Sequence, residues 1–480
     1  MKHIRRLLLP ALCALLSACS LAPPYERPAL VLPDTADADK AEAIDVRWWR
    51  RFNEPRLNEL IAEALRHNQD LLAARERLQQ AEALVGLSAG DFFPRPDASW
   101  EGGKQQLSSK AVGGPPPNEN QVANYSAGAH ASWELDFRGK FHDAWQSARF
   151  GQHASAADYD ALTLLVAGNV VKAYSAFLTA RQQVQIAAAT VSQREQAERL
   201  QRNNVNIGGN DEMELLRVQG ELSRARYSLH MAGLLQEQAV SALSLLLGRS
   251  PAQIMAGDAF AAATDAPDML QAHPLPVALP FKLLEQRPDL RAAEYALMAE
   301  HFNVGVIRAN YLPSIGLDAS VGAAAATRGG VGSAHSTTWS ILGVIRLPLD
   351  FWSTYFQELM GEARCRELAH SYEQAVRSAF GDVRNALSAI TRLDLAGAAL
   401  EQMESTLTRA ATVARNRYRY GYANYMDVLD ADRSLLDARL DLAEHKNSRI
   451  AAEVDLYMAL GGGWDDNYTI TLETATPVAP

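Results

Sequence analysis

Apolar residues recur along this chain at two spacings, and each spacing occurs in two separate places. Leu57, Leu60, Ile61, Ala64 and Leu65 fall at helical spacing, and the pattern runs on through Leu71, Leu78 and Leu84 to a break at Gly90-Asp91. From Tyr125 to Phe137 the period becomes two: Tyr125, Ala127, Ala129, Ala131, Trp133, Leu135 and Phe137 alternate with Ser126, Gly128, His130, Ser132, Glu134 and Asp136. Ile315, Leu317, Ala319, Val321 and Ala323 alternate with small polar residues in the same way. Trp339, Ile341, Ile345 and Leu347 continue the pattern more weakly, with Leu342 and Val344 on the polar side. Pro96 to Gln106 is the weakest of these four predicted strands, and glycine-rich loops at 113–118 and 328–333 join them into two hairpins. Helical patterns then run without interruption over 139–206 and 353–420, with shorter partners over 54–87 and 212–247. At ~1.5 Å per residue, a helix of ~68 residues is about 100 Å long, far beyond an ordinary domain helix. Leu215, Leu222, Leu229 and Leu243, spaced by multiples of seven, predict coiled-coil-like packing.

The whole series is written twice. Phe92-Phe93-Pro94 ahead of the first hairpin corresponds to Tyr311-Leu312-Pro313 ahead of the second, an offset of 313 − 94 = 219, at which Asp70-Leu71 also matches Asp289-Leu290. Asn203, Gly208, Met213, Leu216, Leu247 and Gly248 recur at an offset of 213 as Asn416, Gly421, Met426, Leu429, Leu460 and Gly461. One helix, hairpin, long helix and helix unit is therefore duplicated, over 48–250 and 281–462, with a proline-rich crossover at 251–280 and a tail at 463–480.

The ends and composition narrow the compartment. Lys2, Arg5 and Arg6 precede the apolar run 7–16, which ends in Leu16-Ser17-Ala18-Cys19, a signal peptide over 1–18 with the form of a bacterial lipobox. On this reading Cys19 becomes the lipidated N-terminus, carrying N-palmitoyl and S-diacylglycerol groups, and residues 19–47 form a proline-containing tether. Ser20 in place of an aspartate favours the outer membrane. An ordinary signal peptide beside an incidental cysteine is the alternative. Cys13 lies in the leader and Cys19 would carry lipid, so Cys365 alone remains and no intrachain disulfide is expected. Its charged helical setting, without a His or Asn constellation, reads as a bland free thiol. A formal charge of −10 argues against nucleic acid as a partner. The most apolar helical stretch, 161–171, is interrupted by Asn169 and stopped by Lys172, so any membrane crossing is expected to be by strands.

A strand with one small, polar face and one aromatic face fits an outer-membrane barrel, where ~9–11 residues suffice to cross, although a soluble sandwich strand shares the period. Four strands cannot close, since membrane barrels start at about eight, and an open edge in lipid leaves backbone groups unsatisfied. The chain is thus expected to pool its strands with further copies of itself.

The lipobox, then Trp48-Trp49-Arg50-Arg51-Phe52-Asn53-Glu54-Pro55-Arg56-Leu57, then Leu279-Pro280-Phe281-Lys282-Leu283-Leu284-Glu285-Gln286-Arg287-Pro288-Asp289-Leu290, together resemble the signatures of TolC-like outer-membrane efflux proteins, in particular the NodT/OprM-type lipoprotein branch. The resemblance covers essentially the whole mature chain. It implies an α+β membrane protein: a homotrimer whose chains each give four strands to one twelve-stranded outer-membrane β-barrel, continued into the periplasm as a long α-helical coiled-coil barrel. It further implies an equatorial region built from 41–52, 250–280 and the tail. The implied role is a passive exit duct in a tripartite efflux pump, docked through a periplasmic adaptor (membrane fusion protein) to an inner-membrane RND-type transporter. No cofactor is expected beyond the lipid.

The same resemblance points to a periplasmic gate at the second hairpin turn, at Asp427 and Asp430 of Asp427-Val428-Leu429-Asp430, with Tyr418 linking neighbouring helices and Gly208 and Gly421 as the two turn glycines. Asp427 and Asp430, at i and i+3, share a helical face. Taken alone they also suit a first turn, where the helix dipole favours acids. The repeat sets Glu214 against Asp427 and Arg217 against Asp430, so the first hairpin is expected to bridge by salt links. Ala423 departs from the family pattern, which has an arginine two residues after the glycine.

Catalysis finds no support. There is no His-Glu-x-x-His; Gly102-Gly103-Lys104 lacks the spacing of a phosphate loop, and the histidines show no metal-ligand spacing. His142 and His153 read as a solvated helix surface. Two other functions fit the pattern: the exit duct of a type I protein-secretion system, and a lipid-anchored coiled-coil scaffold without a pore.

Overall fold

A computed structural model describes residues 20–29, 47–106, 121–207, 212–257, 269–273, 287–328 and 331–462. A short 3₁₀ turn, Trp48–Phe52, leads into α1 (Pro55–His67), α2 (Gln69–Gly90), β1 (Arg95–Gln106), β2 (Gln121–Leu135), α3 (Lys140–Asn206), α4 (Glu212–Leu246) and the single-turn-and-a-half α5 (Pro251–Ala256). The second copy follows as α6 (Pro288–Ala309), β3 (Ser314–Arg328), β4 (Val331–Arg346), α7 (Phe351–Arg419) and α8 (Tyr425–Ala459). The duplication survives folding: α2 and α6 are both 22 residues long, and α4 and α8 both 35. Cys19, Gly208 and the tail 463–480 lie outside the described residues.

The chain divides into two compact units, and α3 and α7 contribute residues to both. One unit, made of residues 1–30, 77–156 and 292–373, carries the sheet. Its order is β1-β2-β3-β4, every neighbour antiparallel. Pairing of Trp133 with Leu317, Ala129 with Val321 and Val321 with Trp339 gathers the apolar positions on one face, while His130 with Ser320 and Ser132 with Asp318 gather the polar ones on the other. Trp100, Val321, Trp339, Ile341 and Ile345 all remain exposed on the apolar face, as residues destined for lipid must be. The weak first strand forms across its full length because all twelve residues of β1 pair with β2, and backbone pairing does not require apolar side chains.

At the feet of the strands Arg138 is buried and donates to the carbonyls of Ala309 (3.0 Å) and Leu312 (2.6 Å), the loose C-terminal end of α6. In the same unit residues 20–29 form a strap. The Leu21 amide donates to Asp143 (3.2 Å), Tyr25 to Glu294 (3.0 Å), and Arg27 grips both oxygens of Glu294. His153, expected to be solvated, packs against the rings of Phe150 and Tyr295.

The other unit (31–76, 157–291 and 374–480) holds the largest core. Trp48 stacks on Tyr457 with centroids 4.9 Å apart, and Leu57, Leu60 and Ile61 of α1 bury against Val166, Val170, Val171, Tyr174 and Leu178 of α3. That stretch of α3 is long and apolar enough to cross a membrane by composition, but it is half buried in this protein core. Gly168 permits the approach of α8, since a methyl there would overlap Met458. Glu453 is completely buried; burial pushes its carboxyl up, opposed by the His273 amide (3.1 Å), which ties the crossover segment 269–273 to α8, and by Arg449 (3.2 Å) of the same helix.

The single helix expected over 54–87 is two. Asn68 has an extended backbone, its side chain caps α2 through the amides of Asp70 and Leu71, and its Nδ2 donates to the Leu246 carbonyl (2.9 Å). In the second copy Arg287 does the same work by donating to the Ala459 carbonyl (2.9 Å). Both positions satisfy a carbonyl in the last turn of the partner helix. The strands also differ from expectation at their ends: β2 starts at Gln121 and stops at Leu135, short of Phe137, and β4 begins at Val331.

Candidate functional site at the second hairpin turn

The turn between α7 and α8 is built by three residues whose types fit their places. Gly421 takes φ +78° just past the end of α7, and the amides of Gly421 and Tyr422 return to the carbonyls of Tyr418 (3.0 Å) and Arg417 (2.8 Å), closing the helix with a left-handed cap. Asn424 caps α8, its side-chain oxygen accepting from the Asp427 amide at 3.0 Å. Val428 and Leu429 turn inward against Val218, Tyr425, Ala197 and Ala414. Because they are inward, Asp427 and Asp430 on either side are held outward, and both are exposed.

Tyr418 is half-buried, its hydroxyl accepts from Gln201 Nε2 (2.7 Å), and its ring meets Tyr425 edge-on at 5.3 Å. Burial raises its phenol pKa; the Gln201 hydrogen bond opposes this and the charge of Glu214 adds to it. Tyr418 therefore links α7 to α3 of the same chain. Glu214 is half-buried and Arg217 exposed, and among the described residues no ion pair joins Arg217 to either aspartate.

The bridge expected at Glu214 and Arg217 lies instead one turn further along. Arg433 clasps both carboxylate oxygens of Glu221 and also reaches Asp430 at 3.4 Å. Asp432 is nearly buried between two guanidinium groups, Arg415 (2.7 Å) and Arg194 (3.2 Å), so it ties α8 to both α7 and α3. Glu198 accepts from Arg202 and from Gln219 (3.3 Å). Sequence reasoning passed over Glu221 and Arg433 because their repeat mates are Ser434 and Gly220; the signal was two neighbouring mismatches of opposite charge.

The hydrogen bond from Arg433 lowers the Glu221 pKa, with burial opposing. A carboxyl lowered on folding contributes stability that is present above its unfolded value of about 4.3 and lost as pH falls through the folded one. Hydrogen exchange in the α4 and α8 hairpin ends is therefore expected to be flat from pH 8 to 5 after correction for intrinsic rates, and to accelerate only below roughly pH 4. Arg433→Ala should remove that acid step, loosening the hairpin ends above it and leaving them like the wild type below it.

Elsewhere, burial followed by the charges of Glu300 and Glu362 pushes the Cys365 thiol up to about 11, which keeps it protonated and unreactive. Ala423 is half-buried in the turn and offers no charge.

The model of the family described as outer membrane efflux protein matches this sequence twice, over residues 60–249 and 279–462. The chain is 31% identical over 470 residues to the cation efflux system protein CusC of Escherichia coli O6:H1, covering 95% of this chain and 98% of that protein. It is 29% identical over 474 residues to the outer membrane protein OprJ of Pseudomonas aeruginosa, covering 95% of each. Its fold matches the crystal structure of the Campylobacter jejuni CmeC outer membrane channel with a TM-score of 0.83 and 25% identity, over 94% of this chain and 96% of that one.

Proposed function

This chain belongs to the outer membrane efflux protein family, and from that premise we propose that it forms the passive exit duct of a tripartite pump for small solutes. It is an outer-membrane efflux component. Three copies pool four strands each into one twelve-stranded barrel continued by a helical barrel, which answers the open edges of β1 and β4. An inner-membrane RND-type transporter supplies the energy and selects the cargo, and a periplasmic adaptor joins the two. The observation that carries this reading is the four-stranded sheet with one exposed aromatic face, set in a chain of paired helices far too long for a globular domain.

Two further roles belong to the proposal. The lipid on Cys19 anchors the chain beside the barrel, a reading supported by the strap that starts at the next residue and is bound to Asp143 and Glu294. Asp427 and Asp430 of three copies form a ring of six carboxylates at the periplasmic entrance, where they repel one another and bind cations. The turn described above supports this by holding both outward.

Deletion of the gene should raise intracellular accumulation of fluorescent pump substrates, with recovery on complementation. Normal accumulation together with loss of a secreted protein from the medium would overturn the reading in favour of a type I secretion duct.

A further inference from the structure

The sheet-bearing unit ends in two unpaired strands, and the internal repeat says what each lacks. Arg95 faces Ser132 and Ser314 faces Arg346, so first strands correspond at 314 − 95 = 219 and second strands at 346 − 132 = 214. Among the described residues one junction brings a second strand against a first strand: β2 against β3, with Ser132 facing Asp318 and Ala131 facing Ala319. Carried over by the two offsets, this register sets Arg346 opposite Ser99 and Ile345 opposite Trp100 of a following copy. The faces agree. Ile345 and Trp100 both lie on the apolar side, Arg346 and Ser99 both on the polar side, and a slip of one residue would mix them.

The helices at the strand feet carry the same information. Within the chain, α3 and α6 meet at the β2–β3 junction: Arg138 donates to the Ala309 and Leu312 carbonyls, Phe150 stacks on Phe302 at 5.5 Å, and a methyl on Gly305 would overlap the Asp143 carboxylate. Their repeat mates are α7 and α2. Gly86 is the mate of Gly305, yet an added Cβ there would meet nothing within 4 Å, and the same holds for Gly90, the mate of Ala309. A glycine weakens a helix relative to alanine; Gly151, Gly220, Gly233 and Gly381 are equally open, but Gly86 and Gly90 are the mates of residues packed at the intrachain junction, which points to a neighbour from outside the chain. Beside them Leu87 and Phe93 are 70% and 67% exposed, and on α7 Trp352, Phe356 and Met360 form an exposed apolar stripe. In the first copy the same stripe reads Arg138, His142 and Gln146.

We propose that α7 of one copy packs against α2 of the next, with β4 paired to the next copy's β1 in the register Arg346 opposite Ser99 and Gly86 as the point of closest approach. The proposal rests on the trimeric-duct reading and adds to it the residues of the seam and a difference between the two kinds of junction. Inside a chain the junction is latched by the buried Arg138 guanidinium. Between chains Trp352 occupies that place, over Gly90 and Phe93 of the next copy, so the contact made on assembly is apolar. A folded monomer thus carries its own latch complete and keeps its apolar surface for its neighbours.

Full-length lipidated protein with Cys365→Ser, Ser99→Cys and Arg346→Cys tests the register. Mild oxidation should give covalent dimers and trimers, whereas Ser99→Cys with Leu342→Cys, displaced by four residues or ~13 Å along the strand, should not. Gly86→Leu, which nothing in its own chain crowds, should lower the trimer fraction by roughly tenfold in native mass spectrometry while leaving helix content unchanged. A trimer in which the first pair stays reduced, in which the displaced pair links equally well, or which tolerates Gly86→Leu overturns the seam and leaves the duct reading standing. A wild-type protein found only as a monomer overturns both.

Discussion

Replacing Asp427 and Asp430 together by alanine should raise the single-channel conductance of the reconstituted protein several-fold and weaken its block by divalent cations. The two side chains lie at i and i+3 and are held outward because Val428 and Leu429 between them are buried. In the proposed ring, carboxylates gathered round one axis bind cations more tightly than any one of them would, and a bound divalent ion is expected to close the entrance. The single variants should differ. Asp430 already has Arg433 at 3.4 Å, so part of its charge is answered within the chain, while Asp427 has no ion-pair partner among the described residues. Asp427→Ala is therefore expected to relieve more of the block than Asp430→Ala. The difference from wild type should shrink from 0.1 M to 1 M salt, as the screening length falls from about 10 Å to about 3 Å. Unchanged conductance in planar bilayers would remove these residues from the gate.

Gly248→Ala should be the most damaging of the glycine substitutions, and Gly461→Ala, its repeat mate, distinctly milder. Both residues take positive φ, +68° and +84°, and both close a helix with the same paired amide-to-carbonyl cap. Each alanine thus meets a left-handed penalty of about 1–2 kcal/mol. At Gly248 the methyl would also overlap the His67 carbonyl, backbone that cannot yield without moving the Asn68 break and its bond to Leu246. At Gly461 the nearest atoms are Arg287 Cγ at 3.1 Å and its Cα at 3.3 Å, a tight contact that a shift of a few tenths of an ångström relieves rather than an overlap with backbone. Thermal denaturation of the detergent-solubilised protein, with the amount recovered from the outer membrane, measures the difference. Equal losses at the two positions would contradict the account of why the copies differ.

The strands and long helices were legible because their periods are plain: Tyr125 to Leu135 alternates without a fault, and no proline or glycine pair interrupts 140–206. Gly421 likewise carries local chemistry that fixes a turn, which is why the end of α7 and the start of α8 could be read in advance. The Asn68 break was hidden because Leu57 to Leu84 keeps helical phase across it; the second copy held the clue, since Pro288, the mate of Gln69, opens a helix rather than continuing one. The Glu221–Arg433 clasp and the Asp432 cluster were hidden for a different reason. They join helices distant in sequence, and the repeat does not preserve them, so neither spacing nor periodicity brings them together.

The two hairpins and two pairs of helices make sense as parts of a passive conduit, and current through the wild-type protein tests that most directly. Purified, lipidated, full-length protein added to planar bilayers should assemble as trimers and give discrete current steps without nucleotide or any other energy source, small at rest and reduced further by divalent cations. Trimers that insert into the bilayer yet carry no current at any voltage, salt concentration or divalent level would contradict it.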